Sequence, residues 1–367
     1  MTDASSTAPA QAAVVSDSLP ALRVAVAAPL AEADAQRIVE LEPRVELLHV
    51  PGLLPPMRFP ADFSGDPAFS RSAAQQRAFE ELLEGADALY GIPDVNPQLL
   101  ASTIRSNPQL RWVQTMAAGG GGQVRAAGLT SAELERVVFT TSAGVHGDSL
   151  AEFALFGVLA GAKSLPRLSA QRAARQWTDR WTMGQLSTMN IVVLGNGGIG
   201  RKTAEKLHLL GAQVVSFSRS GAASEGQVTP VAPLPEVWDH LADADALIST
   251  LPGTAATERL IDRDFLAALK PGATFVNVGR GTVVDEEALV DALRAGTVGF
   301  AALDVFAVEP LPESSPLWEL PQVIVSPHTA ALDPREERRI AELFADNATR
   351  FLDGRSLRNV VDTVDFY

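Results

Sequence analysis

The 367-residue chain contains no cysteine. Disulfides, thiolate nucleophiles and cysteine-rich metal sites are therefore excluded. Histidine is scarce: His49, His146, His208, His240 and His328 include no pair four residues apart, so the helical spacing of a zinc site is missing. No apolar run approaches the ~20 residues that span a bilayer. Positive charge is in deficit too. A formal net charge of −14 argues against a nucleic-acid or anionic-membrane partner, while leaving room for a local basic pocket. The opening MTDASSTAPAQAAVVSDSLP has neither the basic start nor the apolar run of a signal peptide. Residues 1–20 read as a disordered tail on a cytoplasmic protein.

What is present is alternation. Short β-rich runs at 22–28, 45–50, 111–115 and 136–140 are separated by helical patterns at 31–40, 72–84 and 96–106. Such alternation predicts a parallel sheet covered by helices. Residues 51–70, rich in Pro and Phe, break the rhythm as a long excursion over a cleft or a neighbouring subunit. A second series begins at Asn190, with strands at 191–194, 213–217, 246–249, 273–278, 299–304 and 323–325. Helical patterns at 201–210 and 285–294 lie between them. The amphipathic stretch 334–353 most simply returns to the first domain, and the apolar stretch 150–163 fits a long helix at the junction or a subunit interface. The fold class expected is α/β. Two Rossmann-like, doubly wound parallel-sheet domains are implied, the second inserted into the first. The division is 21–155 with 329–367 as the substrate domain, of flavodoxin-like type, and 156–328 as the dinucleotide-binding domain.

Residues 191–200 read IVVLGNGGIG. Gly195, Gly197 and Gly200 have the G-x-G-x-x-G spacing, between a strand and a helix, which is the context that gives the motif weight. The helix N-terminus offers free N–H groups and a positive dipole end to a pyrophosphate. The bland alternative is an ordinary strand-to-helix turn with surplus glycines. About twenty residues on, where an acid usually accepts from the ribose 2′-hydroxyl, stand Ser218, Arg219 and Ser220. All three are donors, and an arginine pairs with a 2′-phosphate that an acid would repel. NADP(H) is therefore favoured. If Arg219 is only a solvated loop residue, NAD(H) binds as well.

Three further stretches hold chemistry. Arg280 stands between Gly279 and Gly281, which are expected to let the backbone lie near a ligand. Glu309 precedes Pro310, and His328 follows Pro327. Singly, each reads as a surface arginine, a solvated acid or a satisfied histidine. Together they lie past the C-terminal ends of predicted strands, the edge where open α/β sheets bind ligands. Reduction of a 2-keto acid needs a hydride from nicotinamide, a proton for the developing alkoxide and a grip on the carboxylate. An imidazolium can give the proton, and a neighbouring carboxylate stabilises its charge. A guanidinium can hold the carboxylate and polarise the ketone.

These residues occur in an ordered set: LGNGGIG (194–200), STLPGTAATERLI (249–261), FLAALKPGATFVNVGRGTVVDEEALVDAL (265–293), AALDVFAVEPLP (301–312), VIVSPHTA (323–330) and LRNVVD (357–362). The set resembles the D-isomer-specific 2-hydroxyacid dehydrogenases, a family that includes glyoxylate/hydroxypyruvate and phosphoglycerate dehydrogenases. The resemblance is strong over 150–330 and weaker before it. It implies that His328 is the proton donor, Glu309 its partner and Arg280 the binder of carboxylate and carbonyl. It also implies cofactor contacts from Gly198 and Ile199 at the turn, from Thr250, Pro252 and Thr257 in the next loop, and from Asp304 on the nicotinamide amide. Val278, Gly279, Arg280 and His328 complete the expected cofactor contacts. Ala118 and Gly119 match the loop whose N–H groups hold the substrate carboxylate. A homodimer is implied as well.

The sequence departs from the family at several points. Ser218-Arg219 replaces the acid. AAGGGGQV (117–124) lacks the usual Val-Asp. Tyr90 and Gly91 stand where phosphoglycerate-type members tend to show an arginine nearby, which argues against a phosphorylated substrate. Gly253 stands where a larger apolar residue is common. The expected activity is NADPH-dependent reduction of a small 2-keto acid. The alternatives are a non-catalytic, corepressor-like dinucleotide-binding protein and a dehydrogenase of another acidic substrate.

Overall fold

The computed structural model describes residues 21–224, 226–364 and 366. The tail expected at residues 1–20 lies outside them. The first sheet has strands β1 (Leu22–Val26), β2 (Val45–Leu48), β3 (Ala88–Tyr90), β4 (Trp112–Gln114) and β5 (Val138–Thr140). They run in the order β2-β1-β3-β4-β5, all parallel, which is the flavodoxin-like order. Sequence reading found four of these strands. It missed β3, the central one, because three residues between Asp87 and Gly91 give too short a run for a period to register.

The second sheet has β6 (Asn190–Leu194), β7 (Gln213–Ser218), β8 (Val231–Pro233), β9 (Ala246–Ser249), β10 (Ala273–Asn277), β11 (Val298–Leu303) and β12 (Val323–Val325). Its order is β12-β11-β10-β9-β6-β7-β8, a doubly wound sheet whose order reverses between β6 and β9. It has seven strands rather than the expected six. The extra one, β8, is an edge strand ending in Pro233, where a proline is tolerated because no neighbour needs its missing N–H. The central strands of both sheets are buried on both faces and mostly apolar, while the edge strands β8 and β12 are partly buried.

The chain crosses between the sheets twice. The helix Gly147–Ala162 leaves the first domain and packs on β10, β11 and the helix Gly198–Leu209. The helix Glu336–Leu352 brings the chain back. Its Phe344 stacks on Trp112 at 4.6 Å between ring centroids and meets the edge of Tyr90 at 5.2 Å. The C-terminal segment then docks beside β5, where the Thr141 N–H donates to the Asn359 carbonyl at 2.9 Å. The second sheet is thus an insertion in the first domain. No described helix is long and apolar enough to cross a membrane.

A buried carboxylate fastens the return helix to the first sheet. Glu42, just before β2, accepts from Arg44 at 2.7 and 2.8 Å and from the Thr349 hydroxyl at 2.6 Å. Arg44 also reaches Asp353 at 2.9 Å. The Arg44 hydrogen bonds hold the Glu42 carboxyl at about 2, against an ordinary 4.5. A depressed folded value contributes stability that is present above the unfolded pKa and is lost as pH falls through the folded one. The gap in urea midpoint between wild type and Glu42→Gln is therefore expected to be wide at neutral pH and to close as pH falls from 4.5 towards 2. Equilibrium melts across that window test this, and a constant gap contradicts it.

Candidate active site

The glycine turn lies at the C-terminal end of β6, beside the point of order reversal. Gly195 has φ +103°, a region that favours glycine. A methyl at Gly200 would overlap the Gly195 carbonyl oxygen, so the helix starts hard against the strand. A methyl at Gly197 would meet nothing within 4 Å. That open space lies over the N-terminus of the helix Gly198–Leu209, which has no side-chain cap, so its first N–H groups are left for an anion. The helix begins at Gly198, three residues earlier than the sequence pattern suggested.

The cleft above this turn is lined by Gly197, Gly198, Ile199, Gly200, Thr250 and Pro252, with Gly253, Gly279, Arg280, Ala118 and Gly119 across from them. Thr250 Oγ1 donates to the Leu194 carbonyl at 2.9 Å, and Thr257 Oγ1 to the Pro252 carbonyl at 2.6 Å. Thr250 lines the cleft. Thr257 shapes the loop and does not. Ser218, Arg219 and Ser220 lie beyond the cleft's lining, at the end of β7. There Ser218 Oγ accepts from the Gly221 N–H at 3.1 Å and Ser220 Oγ from the Ala222 N–H at 3.3 Å. A hydroxyl that accepts keeps its own hydrogen to donate.

A second cavity, of about 470 Å³, continues from the cleft. Arg280, Asp304, His328 and Val278 line it, so residues up to 50 positions apart in the sequence converge here. Asn277, the last residue of β10, shapes the Arg280 turn by donating to the Arg280 carbonyl and accepting from the Gly279 N–H, both at 3.1 Å. Burial pushes the Arg280 guanidinium below its ordinary value, and Glu309 draws it back up. The glycines flanking Arg280 also answer to packing, while Gly279 lines the cleft as well. A methyl at Gly279 would strike the backbone of Leu251, and one at Gly281 the backbone of Phe306. They are set by packing within the protein.

His328 Nδ1 lies 2.7 Å from Glu309 Oε2, and Glu309 Oε1 accepts from the Phe306 N–H at 2.9 Å. Each carboxylate oxygen therefore has a partner, and Nε2 is the ring nitrogen outside this contact. His328 itself has φ +53°, uncommon for a side chain of its size. The loop that holds it there is pinned by Asp304. Oδ1 of this buried carboxylate accepts from the Ser326 hydroxyl at 2.5 Å and from the Thr329 and Ala330 N–H groups, each at 3.0 Å. Its Oδ2 is buried without a partner among the described residues. An unpartnered acceptor beside a cavity suits an amide N–H donor.

Sequence reading missed part of this cavity. Residues 86–95 contribute only Ile92 and Val95, whereas the 51–70 excursion supplies Arg58, Phe59, Ala61, Asp62, Phe63 and Ser64. The excursion thus walls the cleft. Arg58 is a second cation at the cavity, and Asp62 neutralises it at 2.6 and 3.0 Å. The Arg58 guanidinium holds the Asp62 carboxyl below its ordinary value. His146 and Glu336 also line the cavity, 2.8 Å apart. A histidine flanked by glycines just beyond a strand's C-terminal end was the available signal for His146. Gly253 now has a setting too: a methyl there would stand 3.0 Å from Thr282 Oγ1 and 3.4 Å from Arg280 Cγ.

Residues 155–330 match the model for the D-isomer specific 2-hydroxyacid dehydrogenase NAD binding domain. The chain is 34% identical over 219 residues to glyoxylate/hydroxypyruvate reductase B of Pectobacterium atrosepticum, covering 59% of this chain and 68% of that one. This chain belongs to the D-isomer-specific 2-hydroxyacid dehydrogenase family. Solved structures agree with the assignment. A family member from Xanthobacter autotrophicus Py2, in complex with NADPH and MES, superposes with TM-score 0.74 at 27% identity, covering 95% of this chain and all of that one. A probable 2-hydroxyacid dehydrogenase from Rhizobium etli CFN 42, in complex with NADP, HEPES and L(+)-tartaric acid, gives 0.70 at 25% identity, covering 94% and 99%. The protein is therefore an NAD(P)-dependent 2-hydroxyacid dehydrogenase acting on a CH–OH group, with a nicotinamide dinucleotide as cofactor.

A methyl at Gly119 would overlap Nη2 of Arg280. Because the obstacle is a side-chain end, Gly119→Ala is expected to fold and to push the guanidinium aside. A displacement of about 1 Å at a substrate-positioning group costs roughly 10²-fold. Steady-state kinetics should give a fall in kcat/KM of that order with thermal stability retained. Unchanged kinetics would remove Arg280 from the substrate's path.

Proposed function

We propose that the enzyme is an NADPH-preferring reductase of small 2-keto acids, such as glyoxylate or hydroxypyruvate. The observation that carries this is the His328–Glu309 pair, 2.7 Å apart, with His328 and Arg280 on one cavity that continues into the glycine-turn cleft. The bound nicotinamide supplies the hydride. Arg280 grips the carboxylate and polarises the ketone, helped by the N–H groups of Ala118 and Gly119. His328 gives its Nε2 proton to the developing alkoxide, and Glu309 orients the ring and balances its charge. In the oxidative direction the same histidine accepts the proton. Asp304 Oδ2 receives the carboxamide N–H, and the helix Gly198–Leu209 holds the pyrophosphate.

For cofactor choice, Ser218, Arg219 and Ser220 would read the 2′-phosphate. The NADPH and NADP in two solved relatives support this reading. A phosphorylated substrate is disfavoured because Arg58, the second cation of the cavity, is already paired with Asp62. We further assign 21–155 with 329–367 to the substrate domain and 156–328 to the cofactor domain. The protein is taken to be a cytoplasmic homodimer, whose interface would cover the exposed Phe156, Leu168 and Trp177.

Initial rates of NADPH and NADH oxidation with a set of 2-keto acids test the reading. A charge-assisted hydrogen bond of about 1.5–3 kcal/mol predicts that Arg219→Ala loses roughly 10- to 100-fold in kcat/KM for NADPH and little for NADH. Equal wild-type rates with the two cofactors would contradict the preference. No rate with any 2-keto acid would contradict the substrate class.

A further inference from the structure

The cofactor cleft and the substrate cavity meet at a neck. Five residues border both: Ala118, Gly119, His146, Ile199 and Arg280. Hydride must cross this neck, so a substrate held by Arg280 has its reacting carbon here. His146 is the other hydrogen-bonding side chain at the neck, and the proposed reaction gives it no part.

His146 stands between β5 and the first crossing helix, opposite the first residue of the return helix, Glu336. His146 Nε2 lies 2.8 Å from Glu336 Oε1, and the side chains are only 8% and 5% exposed. A carboxylate can only accept, so in the neutral ring Nε2 carries the hydrogen and Nδ1 is left as an acceptor. Nδ1 is buried and has no partner among the described residues. A buried acceptor in this state is unfavourable until a donor reaches it.

The chemistry around the neck narrows the choice of donor. On one side of the keto carbon the substrate carboxylate is taken by Arg280. On the other lies the C3 substituent. An anionic substituent there would face Glu336, with Asp62 also on the cavity wall and already paired with Arg58. The rest of that wall includes the apolar Phe59, Phe63, Ile92, Val95 and Leu332. A neutral hydroxyl satisfies both conditions. We infer that His146 is a specificity-determining residue, whose Nδ1 accepts a hydrogen bond from a hydroxyl on the carbon next to the keto group. Glu336 is its positioning residue, fixing the tautomer. Among 2-keto acids that have a third carbon, the enzyme thereby selects those with a hydroxyl there over those without one.

This inference rests on the proposed reduction of 2-keto acids. Hydroxypyruvate and pyruvate differ only by the hydroxyl, so the ratio of their kcat/KM values with NADPH isolates the contact. Wild type is expected to favour hydroxypyruvate by about tenfold or more. His146→Leu should abolish most of that preference, and His146→Asn, which keeps a polar atom near the Nδ1 position, should restore part of it. Glu336→Leu leaves Nε2 without the acceptor that fixes the tautomer, so it should lower the ratio as well. That variant decides the matter if His146→Leu does not fold. A ratio unchanged within about twofold in a folded variant, or a wild type that reduces pyruvate as well as hydroxypyruvate, overturns the inference and leaves the reductase standing. No turnover of any 2-keto acid overturns both.

Discussion

The catalytic edge depends on one buried carboxylate. Asp304 directly follows β11 and spends a single oxygen on three donors of the next strand's loop. Those bonds fix the path of residues 326–330, and with it the left-handed backbone of His328. They also set where the chain begins its return to the first domain. Losing the carboxylate would leave three donors at a buried site without an acceptor, the costly direction of hydrogen-bond removal. The position of His328 against Glu309 is thus a consequence of a bond made elsewhere.

The second constraint is the double crossing. Because the chain crosses twice, the N-terminal ends of the helices Gly147–Ala162 and Glu336–Leu352 meet at the cleft, where His146 contacts Glu336. Both sheets are parallel and point their C-terminal ends at this cleft, so loops from each can approach one ligand. Desolvation there makes charges count. The burial that lowers Arg280's hold on its proton also strengthens its attraction for a carboxylate. Asp62 neutralises Arg58, so among the described residues Arg280 is the arginine of the cavity with no carboxylate hydrogen-bonded to it. One such cation suits a monoanionic substrate.

Much of this was legible in the sequence because the relevant signals are local. The glycine spacing, the strand ends and the residues just past them are read from neighbours in the chain, and they brought Arg280, Glu309 and His328 to one edge, while Asp304 came only from the family resemblance. Less was legible where structure is decided by tertiary context. β3 has three residues and is buried only because β1 and β4 flank it. Arg58 and Asp62 reach the cavity from a Pro-rich excursion with no period to interpret. His146 and Glu336 are 190 residues apart and become a pair only through the return helix. The flanking glycines of Arg280 were legible as constraints, but the sequence could not say whether a ligand or the backbones of Leu251 and Phe306 imposed them.

The central claim is that His328 delivers the proton while hydride crosses the neck. Single-turnover loss of reduced-nicotinamide absorbance, with saturating keto acid, compares wild type with His328→Gln directly. A positioned general acid contributes typically 10²–10⁴-fold. The account predicts a fall of about that size with the cofactor dissociation constant unchanged. A single-turnover rate within about threefold of wild type would fall well short of that contribution and would contradict it.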